Sequence, residues 1–182
     1  MEKYSVFDCS IVELNRHHSD RKGNLTVVQN GDTLPFDVKR VYYLYDVPGG
    51  EERGAHAHRT LSQFIVAASG SFTVTLDDGQ CKRSFFLNRP YQGLLVRPGL
   101  WRSITDFSSG AVCMVLASDI YKSEDYIRNY NDFVAFRLSL NNIETLSRCS
   151  KLFYTISRYH FHIESTFSRR ICSLQPRSHS PL

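Results

Sequence analysis

Residues 50–70 read GEERGAHAHRTLSQFIVAASG, and this stretch decides the fold. His56 and His58 are two positions apart. In an extended chain, side chains two apart share a face, so both imidazoles point one way while Ala55 and Ala57 point the other. Gly50 and Gly54 lead into the pair, and an apolar run follows it as far as Gly70. A polar pair entered through glycines and followed by an apolar strand reads as a polar site inside a β-barrel. The alternative is two surface histidines on an edge strand, and the patterned surroundings argue against it.

The spacing Gly50, His56, His58, Gln63, Gly70 resembles the first motif of the cupin superfamily: Gly, five residues, His-x-His, an acidic ligand, Gly. The second motif would run from Gly93 past Pro98. The resemblance departs from a metal-binding cupin at two places. Gln63 stands where such a cupin has Glu, and Arg102 follows Trp101 where a third His is needed. No His occurs between His58 and His160. Two imidazoles with a neutral amide are a weak donor set for a transition metal. The histidines are therefore read as proton-transfer groups, with no metal and no cofactor expected.

A chain of 182 residues with 42% hydrophobic and 13% aromatic content suits one cored domain plus a tail. The net charge of +4 is unevenly spread. Residues 142–182 hold six Lys/Arg and two acids, which leaves 16 of each in residues 1–141. A neutral body lacks the basic stripe of a nucleic-acid reader, so no nucleic-acid partner is expected. The five cysteines (Cys9, Cys81, Cys113, Cys149, Cys172) form no C-x-x-C pair. There is no apolar leader and no apolar run long enough to span a bilayer, so no membrane partner is expected and the cytoplasm is the expected compartment.

Short strand patterns follow one another along the body. Ile11–Leu14 and Asn24–Val28 flank a polar, turn-like Arg16–Gly23. Val38–Tyr45 is β-branched and aromatic, with Val41, Tyr43 and Tyr45 on one face and Tyr42 and Leu44 on the other. Gln63–Ala68 and Phe72–Leu76 are strands, and Asp77-Asp78-Gly79-Gln80 signals a hairpin into Cys81–Leu87. Gly93–Arg97, Trp101–Asp106 and Ala111–Ala117 complete the set. Many short strands at this spacing argue for a sandwich or small barrel. Ser123 followed by acids predicts a helix over 124–134. From about Asn141 the pattern loses its period. The domain expected is 1–140, with a basic, weakly ordered tail over 141–182 and a faint helical pattern around Ile143–Ile156.

Several strings resemble the nucleotide-sugar 3,4-ketoisomerases, cupins of the WxcM-like type that act on dTDP-4-keto-6-deoxyglucose. They are Val38–Tyr43, Arg53-Gly54-Ala55-His56-Ala57-His58-Arg59, Leu76–Gly79, Pro98–Trp101, Asp106–Ser109, Val115–Tyr121 and Ser123–Phe136. Coverage runs from about residue 5 to 137. The resemblance implies an all-β cupin fold, a double-stranded β-helix or jelly-roll barrel with a short C-terminal helix. It implies a homodimer, and a role in making deoxy or aminodeoxy sugars for surface polysaccharide such as lipopolysaccharide O-antigen or S-layer glycan.

Moving a ketone from C4 to C3 needs a base for the C3 proton and an acid for C4, and histidine suits both. His56 and His58 are the expected proton carriers, with Tyr43 as a third catalytic group. Arg53, Arg97, Trp101, Tyr45 and Gln63 are the expected substrate-binding residues. Arginine forks suit a diphosphate and aromatic faces suit a base. Three other readings stand beside this one: a 3,5-epimerase using a His base in the same barrel, a metal-dependent cupin using His56, His58 and Gln63, and a sugar-nucleotide-binding cupin without catalysis.

Overall fold

The computed structural model describes residues 2–140. Its strands are β1 (Ser10–Glu13), β2 (Arg16–Ser19), β3 (Gly23–Thr26), β4 (Arg40–Leu44), β5 (Arg53–His58), β6 (Gln63–Ser69), β7 (Phe72–Asp77), β8 (Lys82–Leu87), β9 (Gln92–Val96), β10 (Trp101–Thr105), β11 (Val112–Ala117) and β12 (Tyr126–Ile127). Two five-stranded antiparallel sheets face each other, in the orders β1-β9-β6-β11-β4 and β12-β5-β10-β7-β8. β2 and β3 form a separate hairpin. This is the jelly-roll double-stranded β-helix expected from the sequence. One expectation is corrected here. Arg16–Ser19 is a strand rather than part of the turn, because it pairs residue for residue with Gly23–Thr26.

Period-two alternation builds the space between the sheets. Ile65 and Ala67 from β6, Cys113 and Val115 from β11, Val74 and Leu76 from β7, and Ile104 from β10 meet in one buried cluster. Burying each such aliphatic side chain contributes about 1.5–3 kcal/mol for the larger ones. The outer face of the first sheet is covered by Leu34, Phe36 and Val38, which pack on Phe64, Val66 and Leu116. Phe64 lies across Gly93, where an added Cβ would stand 2.1 Å from the ring. That contact explains the glycine in the middle of a strand.

The outer face of the second sheet carries the helix. It spans 130–140, not 124–134. Ser123–Asp125 forms only a single 3-10 turn, and Tyr126–Ile127 are drawn off as a strand against His58 and Ala57. The helix starts after Asn129, whose Oδ1 accepts from the Asn131 and Asp132 backbone N–H groups at 2.8 and 3.3 Å. An Asn in that role satisfies N–H groups that the first turn leaves open. Phe133 packs on Ala57 and Ile127, and Arg137 ties the helix to the loops by donating to the carbonyls of Asp78, Tyr4 and Gly99. The first compact unit ends at Leu138. The expected tail and the Ile143–Ile156 pattern lie outside the described residues.

Candidate active site

Strands from both sheets bring polar side chains to one end of the sandwich interior. β5 contributes His56 and His58, β10 Arg102, β4 Arg40 and Tyr42, β6 Gln63, and β12 Tyr126. The His56 and His58 ring centroids are 5.0 Å apart, and the Tyr126 ring is 5.0 Å from His56 and 4.3 Å from His58.

A β-bulge orients His56. Arg102 pairs with His56 and Ser103 with Gly54, which leaves Ala55 as the extra residue. Gly54 and Ala55 both have positive φ, 95° and 46°. A Cβ on Gly54 would lie 3.0 Å from the Arg102 carbonyl oxygen. The Gly54 carbonyl lies 2.6 Å from His56 Nδ1. A carbonyl only accepts, so Nδ1 carries the proton and Nε2 the lone pair. Arg102 Nη2 donates to that lone pair at 3.1 Å.

His58 is fixed differently. Its Nδ1 donates to Asp125 Oδ2 at 3.0 Å, and Asp125 Oδ1 accepts from the Thr60 backbone N–H and hydroxyl, both at 2.8 Å. The carboxylate selects the tautomer, which again puts the lone pair on Nε2. That Nε2 is buried without a hydrogen-bond partner among the described residues. His58 is only 4% exposed, whereas His56 is half-buried.

Both rings are kept neutral at pH 7. Desolvation first, and the Arg102 cation second, lower His56 to about 4. Desolvation, Arg102 and then His56 lower His58 to about 3 against the opposing pull of Asp125. Burial raises the Tyr42 phenol, so its hydroxyl stays protonated. The Tyr42 oxygen accepts from Gln63 Nε2 at 2.7 Å and from Arg102 Nη2 at 3.2 Å. Its own O–H proton is left to donate.

The structure brings together some of the expected residues and separates others. His56, His58 and Gln63 meet, although Gln63 is 1% exposed and acts on Tyr42. Tyr43 and Tyr45 lie on the outer face of the sheet, 61% and 56% exposed, which puts Tyr43 away from the two histidines. The interior hydroxyl belongs to Tyr42. Arg53 is exposed at the start of β5. Arg97 stacks over Tyr4 at 5.3 Å, beside Cys9. Trp101 faces outward against Tyr130 and Phe133, which makes it a packing residue under the helix. The groups that replace them are Arg102, Tyr42, Tyr126 and Asp125. The signal for Arg102 is its place in the second motif, where a metal-binding cupin has His; on β4, alternation separates Tyr42 from Tyr43 without saying which faces inward. Nothing local marks Asp125, which is 67 residues from His58. Among the described residues no group of three or more His, Cys, Asp or Glu side chains is placed to hold a metal.

The model of the family described as "WxcM-like, C-terminal" (FdtA) matches residues 7–138. The chain belongs to this family. A TDP-4-oxo-6-deoxy-alpha-D-glucose-3,4-oxoisomerase of Aneurinibacillus thermoaerophilus is 44% identical over 122 residues, covering 67% of this chain and 88% of that protein. The TDP-quinovose 3,4-ketoisomerase of Campylobacter jejuni superposes with a TM-score of 0.68 at 41% identity, covering 71% and 99% of the two chains. A histidine-to-asparagine variant of the 3,4-ketoisomerase from Thermoanaerobacterium thermosaccharolyticum, solved with TDP-4-keto-6-deoxyglucose, gives a TM-score of 0.70 at 33% identity, covering 73% and 96%. The family match spans both sheets and every residue of the polar cluster described above.

Proposed function

We propose that the protein is a sugar-nucleotide 3,4-ketoisomerase that converts dTDP-4-keto-6-deoxyglucose to a dTDP-3-keto-6-deoxyhexose. The observation that carries this reading is a pair of neutral imidazoles, each with Nδ1 occupied and a lone pair on Nε2, beside a buried guanidinium and a phenol. Membership of the family and the named relatives support the substrate.

The C4 ketone acidifies the hydrogen on C3. His56 is the more accessible base, and its Nε2 takes that proton once Arg102 turns to the substrate. Electron density moves to the C4 oxygen. Tyr42 donates its hydroxyl proton toward that oxygen, and the Arg102 cation stabilises the developing enediolate. Collapse the other way passes the C3 hydroxyl proton back to the Tyr42 oxygen, forms the C3 ketone, and returns to C4 the proton that His56 took from C3. His58, locked by Asp125 with its lone pair on Nε2, is the neutral imidazole that can accept this proton from His56 and relay it to C4. Gln63 holds the Tyr42 oxygen and is a positioning residue.

The finer parts of the reading are a homodimer, a cytoplasmic location and a place in making surface deoxy sugars. Residues 1–140 act as the catalytic domain, with 141–182 outside it. β4 and β8 are sheet edges open to pairing by a second copy. No helix among the described residues is long and apolar enough to cross a membrane.

The test is incubation of purified protein with dTDP-4-keto-6-deoxyglucose, followed by NMR of the product in deuterated water. The expected product carries its ketone at C3. A product epimerised at C3 or C5 with the ketone still at C4, or unchanged substrate, would overturn the proposal.

A further inference from the structure

The strand that carries the histidines is backed by the helix 130–140. Ala57 stands between His56 and His58 with its Cβ on the opposite face, fully buried in one cluster with Phe133 and Ile127. The register of β5 with β10 ends one residue short of His58, at the Ala57–Trp101 pair. On that side the His58 carbonyl is held by a loop, since the Gly99 N–H donates to it at 2.7 Å. The carbonyl of the same Gly99 accepts from Arg137 Nη1 at 3.1 Å. Gly99 has a φ of 74°, the left-handed conformation that glycine adopts freely. One loop residue thus joins the catalytic strand to the helix.

Arg137 is 5% exposed and grips more than that loop. Its Nε donates to the Asp78 carbonyl and its Nη1 also to the Tyr4 carbonyl, both at 2.8 Å. Asp77 and Asp78, themselves buried, favour its charge against the cost of desolvation. A planar guanidinium holds its donors in fixed directions, so residues 4, 78 and 99 are set relative to one another. Asp125 fixes the rotation of the His58 ring, whereas the backbone fixes where that ring stands. A proton passes only between atoms about 2.6–3.2 Å apart, so a small retreat of the end of β5 matters.

Resting on the ketoisomerase reading, we infer that Arg137 is a positioning residue for the proton relay, holding the His58 end of β5 in place through Gly99. It works from the helix, outside the sandwich interior, and its partners are carbonyls of the protein rather than the substrate. Its loss should slow the proton transfers and leave substrate binding nearly intact.

The test uses the full chain, with steady-state kinetics on dTDP-4-keto-6-deoxyglucose, thermal unfolding, and the NMR signal of the His58 Nδ1 proton, identified by its loss in His58→Asn. Arg137→Met keeps an unbranched apolar stem and removes the fork. Tyr130→Phe is the control, because it removes the 2.7 Å bond to Asp77 at the other end of the same helix without touching Gly99. Arg137→Met lowers kcat about 10- to 100-fold with KM within about threefold, and it moves the His58 signal. Tyr130→Phe keeps kcat within about twofold and leaves that signal in place, whatever it costs in melting temperature. Arg137→Lys keeps the charge without the fork and still loses about fivefold or more in kcat. Equal kcat losses in Arg137→Met and Tyr130→Phe, or an unmoved His58 signal in Arg137→Met, would overturn the inference. If Arg137→Met does not fold, wild-type kcat or an unmoved His58 signal in Arg137→Lys overturns it equally. A wild type without turnover sinks the ketoisomerase reading, and the His58 signal then still decides whether Arg137 holds the imidazole.

Discussion

The two ends of the sandwich interior are built by the same strands with opposite chemistry. Along β6 the inward residues run Gln63, Ile65, Ala67; along β10, Arg102 then Ile104; along β4, Arg40, Tyr42, Leu44. At one end Phe72, Leu87, Ile104 and Cys113 pack with almost no exposed area. At the other, the inward groups satisfy one another in a chain from Gln63 through Tyr42 and Arg102 to His56. Among the described residues three buried atoms at this end have no hydrogen-bond partner: Arg40 Nε, His58 Nε2 and Arg102 Nε. Buried polar groups in a folded protein are nearly always paired. The apolar end supplies the buried core, and the polar end gathers the groups that can accept or donate a proton.

The sharpest break of that contrast is the double variant His56→Asn/His58→Asn. Turnover should fall on the order of 10³-fold or more, the contribution of positioned acid–base groups, while thermal unfolding stays cooperative. Full turnover in that variant would remove the imidazoles from the mechanism. Next comes a comparison across the thickness of one strand. Tyr42→Phe should cost about tenfold or more in kcat through the lost donor, and Tyr43→Phe less than about twofold. Equal effects would mean that strand parity does not separate the two rings. Asp125→Asn, which disturbs the tautomer of His58 and the Thr60 contacts of the same carboxylate, should lower kcat with little change in KM and shift the acid limb of the pH profile.

A smaller effect concerns pH. Both imidazoles have folded-state values below the ordinary 6.5, at about 4 for His56 and about 3 for His58. A depressed histidine binds its proton in the unfolded chain before it does so in the folded one. Its stabilising effect is complete above pH 6.5 and is lost as pH falls toward 4 and then 3. The acid limb of kcat/KM in the free enzyme should accordingly lie well below 6.5, and melting temperature should drop over the same window. A limb at 6.5 or above would show that the rings are not desolvated. The smallest expected effect is from truncation after Leu140. Turnover should stay within about twofold if the catalytic unit ends with the described helix, as measured by the same NMR assay.

Much of this was legible in the chain. The alternation of Val38–Tyr45 and Phe72–Leu76, the Asp-Gly hairpin and the His-x-His spacing all follow from period two, and the two sheets bear them out. What period two gives on β4 is two alternating faces, without saying which one looks inward. Tyr43 and Tyr42 are equally aromatic, and only the pairing of β4 with β11 puts Tyr42 inside. Arg53, Arg97 and Trp101 stand out by residue type, which carries no direction. Ser123 and its acids make a good cap locally, which points to a helix start too early in the chain. The tertiary pairing of Tyr126–Ile127 with β5 overrides it. Asp125 could not be found at all without the fold, since its partner is remote in sequence.

The extra residue at Ala55 has a further effect on how variants of this strand should be read. Counting by twos from His58 assigns sides correctly only as far as His56, and upstream of the bulge the sides reverse, so that Arg53 lies opposite Ile104. Deleting Ala55 should take the Gly54 carbonyl off His56 Nδ1 and turn the approach from residues 46–53 to the other side. An alignment gap slid by one position across Gly54 and Ala55 therefore changes which neighbouring side chains are thought to look at the substrate.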